Sequence, residues 1–130
     1  MMRLLLDTSV LIDTLRHRRG RRELLARLAR DGHTLTTSAL NVAEVFAGMR
    51  PNEERATETF LRALECYELT GAAARVAGAM KRNWGGKGRT LTLADTMIAA
   101  VALEHDCVLM TDNRKDFPMP ELDVYSLPEE

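Results

Sequence analysis

Short apolar runs alternate with helix-length amphipathic stretches along this whole chain, and that alternation constrains the fold more than any other feature. Arg3-Leu-Leu-Leu6 is too short for a helix and is stopped by the charge of Asp7. With Thr8 and Ser9 behind it, the run reads as a buried strand feeding a helix. Ser9 is placed to cap a helix over Val10–Leu15, where Val10, Leu11 and Leu15 share a face. Glu23–Arg30 repeats the pattern through Leu24, Leu25 and Leu28, with Gly32 as its stop. Thr34–Thr37 supplies a second strand, and Ser38 caps a helix through Ala47 that Gly48 and Pro51 end. Asn52–Leu64 and Ala72–Asn83 are further helices, with a strand between them at Cys66–Leu69. Gly85-Gly86-Lys87-Gly88 reads as a loop. Leu93–Glu104 is a helix, Val108–Thr111 a strand and Val124–Leu127 a weaker one. Strands alternating with helices predict βαβ units, hence a single three-layer α/β/α sandwich over residues 1–130 around a mainly parallel sheet.

A length of 130 residues suits one domain with one core, and an apolar share of 45% excludes disorder. Lys plus Arg (18) nearly balance Asp plus Glu (19), so no global basic field advertises nucleic acid, and any polyanion site has to be a local patch. Cys66 and Cys107 have no metal spacing and suit a reducing compartment. Asp7 interrupts the first apolar run too early for a signal peptide or a membrane span. A cytoplasmic protein with no membrane partner is expected.

Four places carry carboxylates against the hydrophobic pattern. Asp7 ends the first strand, where the carboxyl edge of a parallel sheet opens into a crevice, but the same position would cap the next helix. Glu44 shares a helix face with Leu40 and Ala47; its alternative is an ordinary solvated face. Asp95 opens a nearly apolar helix, and Thr92-x-x-Asp95 also fits a capping box. Asp112, Asn113 and Asp116 follow the strand at Val108, in what is by itself a polar turn. Short loops in a parallel sheet bring all four places to one rim. Two carboxylates about 4 Å apart repel by roughly 4 kcal/mol at an effective dielectric near 20. A divalent cation relieves that, and an all-oxygen set without His or Cys favours Mg²⁺ or Mn²⁺ over zinc. His17, His33 and His105 share no ligand spacing and read as surface residues. Such a site points to phosphoryl chemistry.

The stretches Leu5-Leu-Asp7-Thr-Ser-Val-Leu-Ile-Asp13, Ser38-Ala-Leu-Asn-Val-Ala-Glu44, Leu93-Ala-Asp95-Thr-Met-Ile-Ala-Ala and Leu109-Met-Thr111-Asp-Asn113-Arg-Lys-Asp116-Phe117 together resemble the PIN-domain ribonucleases, specifically the VapC-type toxins of bacterial toxin–antitoxin pairs. The four run in the family's order from end to end of the chain. The resemblance implies a metal-dependent endoribonuclease in which Asp7 and Asp95 are the principal metal ligands and Glu44 is the third acid. The fourth is Asp116, with Asn113 as a polar helper; some members carry an acid at the Asn113 position. Ser9, like Thr8, would orient Asp7 or touch the scissile phosphate. Metal-activated water attacking phosphorus in line would leave 5′-phosphate and 3′-hydroxyl ends. A homodimer and a small antitoxin are the implied partners. The antitoxin would cover an apolar groove, for which Leu, Val and Phe46 side chains in the 38–64 helices are candidates.

Arg16-His-Arg18-Arg19-Gly-Arg21-Arg22 packs five arginines into seven residues, and Lys81-Arg82 with Lys87-Gly-Arg89 precedes the Asp95 helix. Charged loops often only solubilise. Beside the proposed metal helices, Arg18, Arg19, Arg21, Arg22, Lys87 and Arg89 read instead as an RNA-phosphate patch giving affinity without sequence readout. Trp84 is the only tryptophan, so base-stacking platforms are scarce. A receiver domain would need an acidic pair at the first strand and a mid-chain phospho-acceptor Asp. A dehalogenase-like phosphatase would need Asp-x-Asp where this chain has Asp7-Thr-Ser9. The remaining alternative is a PIN-like module that binds protein without catalysis.

Overall fold

The computed structural model describes residues 1–128; residues 129–130, the end of the expected 1–130 domain, lie outside the described residues. In chain order the elements are β1 (Arg3–Leu6), α1 (Thr8–Leu15), α2 (Arg21–Arg30), β2 (Thr34–Ser38), α3 (Ala39–Ala47), α4 (Glu54–Arg62), β3 (Glu65–Tyr67), α5 (Gly71–Gly86), α6 (Leu93–Glu104), β4 (Val108–Met110) and β5 (Val124–Tyr125). Two 3-10 turns, Pro51–Glu53 and Arg114–Asp116, complete them. The sheet order is β3-β2-β1-β4-β5 and every pairing is parallel.

Side-chain alternation in β1 builds both halves of the core. Leu4 and Leu6 face Leu24, Leu25 and Leu28 of α2 with Val10 and Leu11 of α1, whereas Leu5 faces Ala73, Ala77, Ile98 and Ala99 from α5 and α6. The three leucines are fully buried, each contributing about 1.5–3 kcal/mol. The α/β/α sandwich read from the sequence is therefore the architecture, with a sheet parallel throughout. The chain winds outward from β1 through β2 to β3 and then returns to β4 on the other side. Its switch point lies between β1 and β4, where parallel α/β sheets open a crevice at their carboxyl ends.

Three local expectations are corrected. The N-cap of α1 is Asp7 rather than Ser9, and the helix begins at Thr8. The glycines at 85 and 86 belong to α5, which ends at Gly86 in a Schellman motif with Lys87 as its C-cap. There Arg89 N–H bonds Trp84 C=O, Gly88 N–H bonds Gly85 C=O, and Gly88 takes the left-handed position at φ +84°. Only the last glycine has the conformation that stops a helix. The helix expected over Asn52–Leu64 opens as a 3-10 turn because Pro51 fixes its start, and it becomes α-helical only from Glu54.

Candidate active site

Asp7 sits at the end of β1 with its amide donating to Met110 C=O of β4 at 2.9 Å, so the switch point itself positions it. It occupies the N-cap of α1, yet its side chain makes no cap hydrogen bond. The carboxylate instead accepts from Asn41 Nδ2 (Oδ1, 3.0 Å) and from Thr111 Oγ1 (Oδ2, 2.6 Å), both buried. Asn41 is held in turn, since Ser38 Oγ donates to its Oδ1 at 2.6 Å while also capping α3 through the Asn41 amide. A second branch runs from Asn41 Nδ2 to Thr8 Oγ1 (3.1 Å), and Thr8 donates to Glu44 Oε1 at 2.6 Å. Two acids from different elements are thus tied into one network of neutral donors.

Asp95 opens α6 from the neighbouring face. Thr92 caps the helix by accepting the Asp95 amide at 3.1 Å. The capping reading of Thr92 is therefore correct. Burial raises Asp95 above the usual carboxylate range; the Thr92 hydroxyl opposes this, and the charges of Asp116, Asp7 and Glu44 add to it. Burial likewise raises Asp7, against the bonds from Thr111, the Thr8 backbone and Asn41, with Glu44 adding repulsion. Asp7, Glu44, Asp95 and Asp116 therefore occupy one electrostatic neighbourhood. Asp112 does not join them, because Arg21 Nη2 (2.8 Å) and Arg19 Nη1 (3.1 Å) both bind its Oδ1.

Among the described residues no three Asp, Glu, His or Cys side chains converge on one ion position as they stand. The donor set still fits a hard, hydrated cation. Mg²⁺ is commonly held by one or two carboxylates with water filling its shell. Each Asp7 oxygen here receives one side-chain hydrogen bond, and a carboxylate has lone-pair capacity for further partners. Glu44 is exposed and Asp95 and Asp116 are half-buried, so the acids form an open rim, with a cavity beside it that Thr111 also lines. An open rim suits a polymer strand better than a small molecule.

Several sequence-predicted residues are placed differently. Ser9 makes no hydrogen bond to Asp7; its hydroxyl accepts the Asp112 amide at 3.5 Å. Asn113 is exposed, and its amide bonds Thr111 Oγ1 at 3.0 Å. Within the expected phosphate patch, Arg21 is 2% exposed and bound to Asp112, so it is a structural residue and not a surface cation. Arg22 lies against the His17 ring and lines a groove between α2 and α4, away from the acids. Arg18 and half-exposed Arg19 border a hollow with Ser9 and Asn113, Lys87 lies over the Trp84 ring, and Arg89 binds Lys115 C=O. The groove between α2 and α4 is lined by Phe60 rather than Phe46. The sequence reading missed Asn41 and Thr111. Its available signal was a poor helix former at three-residue spacing from both Ser38 and Glu44.

Fold and site together define a parallel α/β sandwich with an acidic rim at its carboxyl switch point. Residues 4–120 match the PIN domain, and the chain belongs to that family. It is 35% identical to ribonuclease VapC19 of Mycobacterium tuberculosis over 119 residues, covering 91% of this chain and 95% of the relative. A toxin–antitoxin complex from Klebsiella pneumoniae contains a chain of similar fold (TM-score 0.77, 26% identity, 95% of this chain and 99% of that one). So does VapBC2 from Rickettsia felis bound to a promoter DNA fragment (TM-score 0.84, 22% identity, 98% and 100%).

Proposed function

We propose that this chain is a toxin endoribonuclease restrained by a cognate antitoxin. The observation that carries the reading is the hydrogen-bonded network that ties Asp7 to Glu44 at the β1/β4 switch point, with Asp95 raised by the charges of Asp116, Asp7 and Glu44, in a chain whose relatives include a ribonuclease at 35% identity. Asp7 and Asp95 would hold Mg²⁺ (or Mn²⁺), with Glu44 acting directly or through water. When bound, the ion supplies an acidified water and neutralises charge on the leaving 3′-oxygen. Asn41 and Thr111 fix the orientation of Asp7, and Thr8 fixes Glu44. Asp116 is the proton acceptor, and the exposed side chain of Asn113 is free to meet a phosphate oxygen, as is Ser9 at the rim. Arg18, Arg19, Lys87 and Arg89 hold flanking phosphates.

The antitoxin is assigned to the groove of about 760 Å³ between α2 and α4. Leu25, Ala29, Leu35 and Phe60 line it, with Arg22 and Arg55 alongside them. These fit an amphipathic helix with acidic flanks. A homodimer in the cytoplasm completes the reading; no described helix is long and apolar enough to cross a membrane.

Cleavage of single-stranded and hairpin RNA tests the proposal. Activity should require Mg²⁺, vanish in Asp7→Asn and leave 5′-phosphate and 3′-hydroxyl ends. Cleavage that survives excess EDTA or that substitution, or 2′,3′-cyclic phosphate ends, would overturn it.

A further inference from the structure

The 111–117 loop has acids on one side and a second site on the other. Beyond it lies a pocket of about 560 Å³ bounded by Arg19, Arg21, Thr111, Arg114, Tyr125 and Ser126. That volume lies within the range of small-molecule sites. Three guanidinium groups meet there with the carboxylate of Asp112, and Asp13 reaches Arg19 only at 3.8 Å. Arg114 makes no ion pair among the described residues; its side chain bonds the Ser126 hydroxyl at 3.2 Å. Arg21 is almost wholly buried and locked by Asp112 and by the carbonyls of Arg19 and Pro128. Its Nε and Oδ2 of its partner Asp112 both lack a hydrogen-bond partner among the described residues. Three guanidinium groups line the pocket against the single carboxylate of Asp112, and that excess of positive charge suits an anion.

The pocket is joined to the acid rim by one side chain. Thr111 lines it and donates to Asp7 Oδ2 at 2.6 Å. A strand whose reacting phosphate lies at Asp7 therefore continues directly over Thr111. We propose that this pocket receives the neighbouring nucleotide of the RNA strand, its phosphate held by Arg114 and Arg19 and its base laid against Tyr125. The proposal rests on the ribonuclease reading and deepens it by naming a specificity subsite. An acidic peptide would satisfy the arginines equally but would leave the tyrosine ring without a planar partner.

The test uses the full chain in EDTA, so the acids hold no metal. Arginine Nε–H resonances are followed by NMR while AMP, UMP or inorganic phosphate is added. Both nucleotides should shift the Arg21 and Arg114 signals, and phosphate alone should bind more weakly. In RNA cleavage with Mg²⁺, Arg114→Ala should raise KM about tenfold, the loss of one charge-assisted bond, with kcat nearly unchanged. Tyr125→Leu keeps an apolar body there and should erase the preference for AMP over phosphate. Unmoved arginine signals, equal affinity for phosphate and AMP, displacement of AMP by an acidic hexapeptide at lower concentration, or an unchanged KM in Arg114→Ala would each overturn the subsite. AMP binding by a chain that cleaves no RNA would uphold the pocket and remove the ribonuclease reading. Normal cleavage without AMP binding would do the reverse.

Discussion

Asn41 offers the sharpest test of how the acid rim is held. It is fully buried, and its side chain donates to Asp7 and Thr8 and accepts from Ser38. The bond to a carboxylate is worth about 1.5–3 kcal/mol and each neutral one about 1 kcal/mol. Truncation to alanine also strands Asp7 Oδ1 and the Ser38 hydroxyl, so Asn41→Ala should destabilise the chain by about 3–4 kcal/mol. That is a large share of a typical domain's stability. Urea unfolding in EDTA at neutral pH measures it free of metal binding. Asn41→Asp preserves size but sets a second carboxylate where the amide stood 3.0 Å from Asp7. Such a pair retains a shared proton, so the folded variant binds more protons than the unfolded chain in mild acid. The pair's contribution to stability should be greatest near and below pH 4, the ordinary carboxylate value, and fall as pH rises toward neutrality, so that the variant loses stability relative to the wild type across that range. An alanine cost below about 1 kcal/mol, or an aspartate variant with the pH profile of the wild type, would refute the network's role.

Other outcomes follow from single positions. Gly85→Ala should stabilise α5 by about 0.5–1 kcal/mol, since the new methyl meets nothing; Gly88→Ala should cost about 1–2 kcal/mol because of its positive φ, both by thermal or urea unfolding. Arg21→Met should destabilise by about 3 kcal/mol, and adding Asp112→Leu should recover part of that loss, because the second change removes the stranded buried charge; an additive double-mutant cycle would contradict a coupled pair. Glu53, lowered to about 2 chiefly by its bond from Arg16 and also by the Arg50 amide, lends stability that is complete above its unfolded value of 4.5 and lost as pH falls toward 2. Glu53→Gln should therefore flatten that part of the acid unfolding curve, and an unaltered curve would contradict it.

The layer architecture was legible because period-two burial in Leu4–Leu6 and the nearly apolar Leu93–Glu104 helix are strong local patterns. Sheet order was not, since pairing between β1 and β4 joins residues a hundred positions apart. Helix ends were read imperfectly for a backbone reason. Gly85, Gly86 and Gly88 look alike in a sequence, and only a dihedral angle distinguishes the one that stops α5. Asp7, Glu44 and Asp95 could be selected as acids out of pattern and Asp116 only through the family resemblance, whereas the neutral residues that orient Asp7 and Glu44 could not. Asn41 and Thr111 look ordinary until the fold brings them to Asp7. Arg21 was misplaced because five neighbouring arginines look equally solvated in one dimension. The turn ahead of α2 includes left-handed residues at His17, Arg19 and Gly20, and Arg21 then points inward to Asp112 while Arg18 and Arg22 stay exposed.

The choice of supporting groups also explains how the rim keeps its charge. The side chains that bond Asp7 and Glu44 are Asn41, Thr111 and Thr8, all neutral. A lysine or arginine there would hold the carboxylates more strongly, but it would cancel the field that draws a cation. Neutral donors fix orientation and leave the negative charge in place. The nearby arginines meanwhile are kept beyond the 111–117 loop, where Asp112 gathers Arg19 and Arg21 on a single oxygen. One acid is thus used to restrain cations so that four others remain uncompensated. The loop becomes a boundary between a negative rim and a positive pocket, the arrangement the proposed cleavage calls for, with one phosphate at the acids and the next anchored by arginine.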